Sequence, residues 1–180
     1  ETLTSSPISG LSGEMLIPGD KSISHRALIL GGMAIGQTKV AGLLMGADVL
    51  STLEAVRALG VNITSDAGII TIDGVGTGGF IPPEAPLDLG NAGTGVRLLM
   101  GAVAGQPISA TFTGDASLSK RPMRRITDPL ALMGAQIAYT PEGDEKGYLP
   151  VTITGAQPSL PLTYEMPVAS AQIKSAILFA

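Results

Sequence analysis

Apolar residues recur along the chain at two spacings, which predict short helices alternating with short strands. Val49, Leu53, Val56 and Leu59 are spaced for one face of a helix, and Asp48 is its predicted N-cap. Runs of strand length lie on either side of such helices, at residues 38–43, 69–74, 108–112 and 151–155. The alternation favours an α/β fold.

The same order of elements occurs twice, with a period of roughly 70–80 residues. Residues 20–36 predict a turn, a helix and a glycine exit, and residues 91–105 repeat them with Arg97 in the place of Arg26. A strand, a second helix and two strands follow in each copy, and Asp128, followed by proline, predicts the start of this second helix in the second copy. The predicted unit is therefore βαβαββ, at about residues 13–75 and 86–156.

A third copy begins at about residue 160. Residues 162–166 predict its strand, and residues 170–174 predict its turn and helix opening, with Lys174 where the earlier helices carry arginine. The sequence stops at Ala180 inside an apolar run, without a glycine, asparagine or basic C-cap. We therefore expect the chain to be part of a longer protein or one segment of a complex.

The segment GDKSISHR at residues 19–26 carries the clearest chemical signal. It follows an apolar run at 15–18, predicted as a strand, and it opens a helix with Ser22 or Ser24 as the predicted N-cap. Lys21 and Arg26 lie at the positive end of the helix dipole, where a cation typically costs about 0.3–1 kcal/mol. A bound anion would offset that cost. The alternative is a solvated turn in which Lys21 pairs with a distant carboxylate.

A second basic segment, KRPMRR at residues 120–125, places four cations among six residues. Pro122 opposes a regular helix there and predicts an extended backbone at Arg121. A solvated surface patch is the ordinary interpretation of such a run. Together with the cationic helix openings, however, it favours a pocket that holds more than one anionic group.

Composition narrows the possible functions. The 180 residues carry a net charge of −4, which argues against a nucleic-acid partner but leaves small anionic substrates open. Without cysteine the chain has no thiolate metal site, and with one histidine a zinc-type ligand set is not expected. No apolar run reaches about 18 residues, so we expect a soluble, cytoplasmic protein without membrane contact.

Two further features have simpler interpretations. The GxGxxG pattern at residues 74–79 is followed by a proline-rich segment that opposes a helix, so we predict a loop between repeats and no dinucleotide site. His25 has short polar neighbours in the first helical turn, and we interpret it as structural or substrate-orienting, not as a metal ligand.

The segments 19–26, 91–94 with Arg97, 120–123 and 170–172 together resemble the 5-enolpyruvylshikimate-3-phosphate synthases, in order, from about residue 13 onward. Leu98 and Ala171 resemble the variant called class II. The resemblance implies two domains, each of three βαβαββ units with mixed four-stranded sheets outside and helices inside. Residues 13–180 would form most of one domain, and residues 1–12 would pair with the absent second domain.

The resemblance also implies transfer of the enolpyruvyl group of phosphoenolpyruvate to the 5-hydroxyl of shikimate 3-phosphate, without a metal or organic cofactor. Lys21 would be catalytic and touch both substrates. The implied shikimate 3-phosphate ligands are Lys21, Ser22, Arg26, Ser170, Ala171 and Gln172. The implied phosphoenolpyruvate ligands are Lys21, Gly93, Arg121 and Gln172.

By the same resemblance, Arg97 would support the turn at residues 91–94. Glyphosate would compete with phosphoenolpyruvate beside Gly93, so that Gly93→Ala would weaken glyphosate more than substrate. The family's catalytic carboxylates lie in the absent half. The C-terminal remainder is therefore an expected partner, possibly a separate chain, and this chain alone is expected to be inactive.

Two other functions remain open at this point. A UDP-sugar enolpyruvyl transferase would share the repeat, although its signature cysteine loop has no counterpart in a chain without cysteine. The repeat could also serve as a non-catalytic module that binds anions or RNA.

Overall fold

The computed structural model describes residues 2–180 apart from the side chains of residues 142 and 144, so Glu1 of the predicted segment 1–12 lies outside the described residues. Residues 2–20 form neither helix nor strand. The strand predicted at 15–18 is therefore wrong. Its apolar side chains Met15, Leu16 and Ile17 are almost fully exposed. A strand requires a neighbour for its backbone hydrogen bonds, and no described strand pairs with this run.

The first repeat folds as helix, strand, helix and two strands. Strands β1, β3 and β2 lie in that order in an antiparallel sheet, and α1 packs on β3. The sheet has three strands instead of the predicted four because the segment before α1 is not a strand. The elements are α1 (Lys21–Met33), β1 (Ile35–Ala41), α2 (Ala47–Ala58), β2 (Asn62–Asp66) and β3 (Ile69–Val75).

The second repeat has the predicted four-stranded mixed sheet. The strand order is β4-β5-β7-β6, with β4 parallel to β5 and the remaining pairs antiparallel. A 3-10 turn at Leu118–Lys120 precedes α4. The elements are β4 (Leu87–Asp88), α3 (Gly93–Ala104), β5 (Ser109–Thr113), α4 (Arg124–Leu132), β6 (Gln136–Tyr139), α5 (Pro141–Asp144) and β7 (Val151–Thr154).

The third repeat is represented by α6 (Ala171–Phe179). Its predicted strand at residues 162–166 is wrong, because this segment has no strand partner in the described chain. The segment at 76–86 contains no helix, as predicted for a loop between repeats. The backbone N–H of Gly78 in this loop donates to the side chain of Gln106 at 2.7 Å.

Three predicted helix starts are wrong. Asp20, not Ser22 or Ser24, caps α1, since its carboxylate accepts from the backbone N–H of Ile23 at 2.7 Å. Gly46 precedes α2, and the carboxylate of Asp48 makes a tertiary contact instead of a cap. Helix α4 begins at Arg124, so Asp128 lies inside it. Burial of the apolar face of α4 offsets the backbone hydrogen bond that Pro129 cannot make.

Helix α3 lies at the centre of the molecule. Every residue of α3 except Thr94 is buried, and α1, α2, α4 and α6 pack around it, with the sheets outside. Apart from Thr94 and Arg97 its residues are apolar or glycine, as expected for a helix surrounded by protein. Glycine permits the closest contact, because a Cβ on Gly101 would overlap the backbone of Ala176 in α6. Among the described residues no helix is long and apolar enough to cross a membrane.

Candidate anion-binding site

The first turn of α1 presents Lys21 beside the first turn of α2. The Nζ of Lys21 donates to the carboxylate of Asp48 at 2.7 Å, and 52% of the Lys21 side chain stays exposed. Ser24 fixes the neighbouring loop, because its hydroxyl donates to the Asp20 carbonyl at 2.8 Å and accepts from the Leu44 N–H at 3.0 Å. The pairing of Lys21 with a distant carboxylate is therefore present, but the pair lies where two helices begin.

Arg26 joins α1 to α6. Its guanidinium donates to the Ser22 carbonyl at 3.1 Å and to the Ser175 hydroxyl at 2.8 Å. Lys174, which the sequence pattern aligned with Arg26 and Arg97, is exposed, and its neighbour Ser175 is the residue of α6 that contacts Arg26. One residue along a helix turns the side chain by about 100°, so counting positions along the chain did not settle which of the two faces inward.

The first turns of α3 and α6 contact each other through a ring of hydrogen bonds. Arg97 Nη1 donates to the Gly93 carbonyl at 3.0 Å and to Gln172 Oε1 at 3.1 Å. The Gln172 amide in turn donates to the Thr94 hydroxyl at 3.0 Å. Ser170 caps α6, since its hydroxyl accepts from the Ile173 N–H at 3.3 Å. The ring connects the predicted ligands Gly93 and Gln172.

Arg121 reaches the same place from the loop after β5. Its backbone is extended (φ −94°, ψ 127°), as Pro122 predicted. Its guanidinium donates to Asn91 Oδ1 at 2.6 Å, and a Cβ on Gly93 would lie 2.8 Å from Arg121 Nη1. The Asn91 amide is fixed from its other side by Asp115 at 2.7 Å. The Leu118 N–H and the Asn91 amide lower the pKa of the Asp115 carboxyl.

The rest of the basic run does not share this position. Arg124 lies over the ring of Tyr139, 5.4 Å from its centroid, and its side chain is exposed. Of the run, Arg121 is the cation that contacts the first turn of α3. Burial is the main cause that lowers the pKa of Arg97, and the positive charges of Arg125 and Arg121 lower it further.

His25 is buried between α1, α2 and α3. Its Nδ1 lies 2.8 Å from the Thr52 hydroxyl, and a Cβ on Gly95 of α3 would lie 3.2 Å from the same nitrogen. Burial lowers the pKa of His25 to about 4, against a smaller opposing effect of Asp48. A neutral, buried imidazole supports its interpretation as a structural residue.

The predicted residues therefore gather where α1, α3 and α6 begin. Contacts link the second turns of α1 and α6, and the first turns of α3 and α6, so these helices present their N-terminal ends together. Sequence reasoning missed Ser175 and Asp115, and it assigned Arg97 only to a turn. The carboxylate of Asp115 accepts from the backbone N–H of Leu118, three residues later, as in a helix cap. This local pattern could have revealed Asp115 from the sequence.

A hollow of about 470 Å³ lies elsewhere, between α2 and the segment 81–88, and contains none of the predicted site residues. Its rim carries Glu54, Glu84 and Asp88, which makes it unsuited to anions.

Known proteins share both the sequence and the fold of this chain. Residues 5–180 match the family described as EPSP synthase (3-phosphoshikimate 1-carboxyvinyltransferase). A 3-phosphoshikimate 1-carboxyvinyltransferase of Ruegeria sp. (strain TM1040) is 58% identical over 99% of this chain and 39% of that protein. One of Rhodopseudomonas palustris (strain HaA2) is 60% identical over 94% of this chain and 38% of its own length.

A solved structure of EPSP synthase from Acinetobacter baumannii superposes with a TM-score of 0.86 at 50% identity, covering 93% of this chain and 37% of that one. The chain thus spans about two fifths of the length of the curated relatives it matches. The match over nearly all of this chain shows that it belongs to the EPSP synthase family.

Proposed function

We propose that the chain forms one side of the active site of an enzyme that transfers the enolpyruvyl group of phosphoenolpyruvate to the 5-hydroxyl of shikimate 3-phosphate. In this reaction the 5-hydroxyl loses its proton as its oxygen bonds to C2 of phosphoenolpyruvate, and the methylene carbon of phosphoenolpyruvate gains a proton to become a methyl group. The C2–O bond to phosphate then breaks as the methyl group loses a proton, which restores the double bond and releases phosphate. The observation that carries the proposal is the convergence of three helix N-termini with Lys21, Arg26, Arg121 and Gln172.

The unused hydrogen-bond donors support binding of shikimate 3-phosphate at α1 and α6. The Ser170 hydroxyl accepts the capping bond, so its hydrogen is free to donate to a phosphate, as is the backbone N–H of Ala171 at the start of α6. Arg26 donates one hydrogen bond to Ser22 and one to Ser175, and its remaining N–H groups can donate to a carboxylate. Exposed Ser22 adds a hydroxyl beside it.

Phosphoenolpyruvate is assigned to the first turn of α3. Gly93 has no side chain, so Arg121 Nη1 can approach the start of the helix. The guanidinium of Arg121 only donates hydrogen bonds, which suits it to a phosphate or a carboxylate. Gln172 uses one amide hydrogen on Thr94 and has a second for either substrate. Lys21 would lie between the two substrates once an anion displaces Asp48.

Electrostatic stabilisation is the chemistry that this surface can supply. Both substrates are polyanions, and fixed cations and helix dipoles stabilise the charge that develops on the tetrahedral intermediate. We assign the catalytic carboxylates to the part of the relatives that lies beyond the matched two fifths, and we take residues 13–180 as one enolpyruvyl transferase-like domain. That remainder is the proposed protein partner, on the same chain or on another.

The test measures phosphate release by the full-length protein supplied with both substrates. We expect Lys21→Met to lower kcat/KM by about 100-fold, because a preorganised cationic donor is lost. Lys39→Met, which removes an equal charge from the exposed face of β1, is the matched control and is expected to change kcat/KM less than twofold. Equal losses in the two variants, or turnover only with a UDP-sugar acceptor, would contradict the proposal.

A further inference from the structure

Arg97 is an unusual cation because it is buried without a carboxylate. Only 4% of its surface is exposed, and among the described residues no acidic side chain lies within ion-pair distance of its guanidinium. Its Nε is buried without a hydrogen-bond partner. Burial, together with repulsion from Arg125 and Arg121, lowers the pKa of Arg97 to about 10. Burying a guanidinium in this way is costly, so its contacts call for a functional explanation.

Those contacts orient Gln172, a residue that is predicted to bind both substrates. An arginine can only donate, so its bond of 3.1 Å to Gln172 fixes the amide oxygen toward Arg97. The amide nitrogen then faces Thr94 at 3.0 Å, with one hydrogen left over. The two bonds together hold the amide of Gln172 in one of its two orientations.

The same guanidinium nitrogen also holds α3. Arg97 Nη1 donates to the carbonyl of Gly93 at 3.0 Å, within the helix turn that faces Arg121. One planar group therefore connects Gly93, from the second repeat, with Gln172, from the third. Among the hydrogen bonds of the described residues, Arg97 is the link between these two residues.

We propose that Arg97 is a positioning residue that sets the orientation of Gln172 against Gly93 and so aligns the two substrates. The proposal rests on the proposed function, because the substrates are those assigned there. Arg97 touches neither substrate and acts through the Gln172 amide. A lysine is a poorer substitute, since its side chain ends one atom earlier and its ammonium is not held in the plane that directs the two Nη1 hydrogens to Gly93 and Gln172.

Kinetics of the full-length protein test this role. We expect Arg97→Met to lower kcat/KM for phosphoenolpyruvate about 30-fold, Arg97→Lys about 10-fold, and Thr94→Val, which frees the opposite side of the amide, about threefold. Arg57→Met removes an exposed arginine from α2 and is the matched control, with no expected change.

A double-mutant cycle separates positioning from mere structural support. If Arg97 acts through Gln172, adding Arg97→Lys to Gln172→Ala costs no more than about twofold beyond Gln172→Ala alone. Fully additive losses would overturn the proposal. If Arg97→Met does not fold, Arg97→Lys and Thr94→Val carry the test unchanged.

A readout without turnover keeps this proposal distinct from the proposed function. The side-chain amide signals of Gln172, assigned by their loss in Gln172→Leu, should exchange with solvent at least about tenfold faster in Arg97→Lys and in Thr94→Val than in the parent. Unchanged exchange in both variants would refute the positioning role even in an active enzyme. If the Gln172 amide exchanges faster in these variants but the parent protein does not turn over the two substrates, the role of Arg97 in positioning Gln172 would stand and the proposed function would be wrong.

Discussion

The two complete repeats share an order of elements but differ in whether their basic side chains have acidic partners. In the first repeat the carboxylate of Asp20 caps α1 and Asp48 pairs with Lys21, so the charge of Lys21 is neutralised locally, whereas Arg26 contacts Ser22 and Ser175. In the second repeat α3 begins without a side-chain cap, and neither Arg97 nor Arg121 has an acidic partner among the described residues. The first repeat thus pairs its lysine with a carboxylate, whereas the two arginines of the second repeat lack one among the described residues.

The repeats also differ in how deeply their first helix is buried. Helix α1 leaves Ile23 and Leu30 exposed, whereas α3 is surrounded by four helices and two strands. Consequently the position of α3 is fixed by packing on every side, and residues that begin it cannot shift independently of α6. Four measurements test whether the two repeats differ in this way.

Matched glycine substitutions give the largest expected difference. Gly101→Ala, in α3, would drive a methyl group into the backbone of Ala176 and should lower the free energy of unfolding by about 3 kcal/mol or more. Gly31→Ala, in α1, meets the side chain of Ile72, with the terminal methyl at 2.9 Å and Cγ2 at 3.4 Å. That methyl can shift and alanine has the better helix propensity, so we expect a change within about 1 kcal/mol. Urea unfolding measures both, and equal losses would show that the helices are packed alike.

The buried imidazole of the first repeat makes stability depend on pH. Because the folded-state pKa of His25 is lowered to about 4 from 6.5, the unfolded chain binds the proton first, and stability is lost as pH falls from 6.5 toward 4. The loss at pH 5 should be about 2 kcal/mol. Burial is the main cause of this shift; the positive charges of Lys21 and Arg26 also lower the pKa of His25, and the negative charge of Asp48 raises it.

Comparison with His25→Gln isolates this effect, since all other groups titrate equally in both proteins. Urea unfolding at pH 7.5 and 5.0 should show a smaller pH dependence in the variant. An identical dependence would mean that His25 does not titrate in this window. The second repeat offers no counterpart, because the Arg97 guanidinium stays charged throughout this range.

Gly93→Ala tests the anion site of the second repeat in the full-length protein. The added methyl would lie 2.8 Å from Arg121 Nη1 and 3.2 Å from Arg97 Nη1, so it reduces the space at the start of α3. Glyphosate has one more chain atom than phosphoenolpyruvate between phosphorus and carboxylate, so we expect its Ki to rise about tenfold more than the KM of phosphoenolpyruvate. Parallel increases in Ki and KM would count against this assignment.

Loss of the ion pair in the first repeat should have the smallest effect on stability. Asp48→Asn removes a partly exposed pair with Lys21, which is worth at most about 1 kcal/mol. Urea unfolding in low and high salt provides the measurement, with Glu54→Gln, which breaks the exposed pair with Arg57, as the control. A loss well above that of the control would show that the Lys21 pair supports the fold as well as the site.

Local sequence patterns predicted the repeat, most helices and strands, and the segments that carry cations. These follow from local rules: apolar spacing predicted α2, a glycine ended α3 at Gly105, and Pro122 made Arg121 extended. The sequence did not determine that the runs at 15–18 and 162–166 would lack partners, because strand pairing depends on which other segments are adjacent.

Which basic side chains are neutralised, and which stay available to bind a ligand, depends on the tertiary structure. Lys21 meets Asp48 from 27 residues away, and Arg97 meets Gln172 from 75 residues away. The same basic side chain at the start of a helix can therefore be paired at the surface or buried without a carboxylate. Which of these occurs depends on the neighbours that helix packing supplies, and no local pattern along the chain records them.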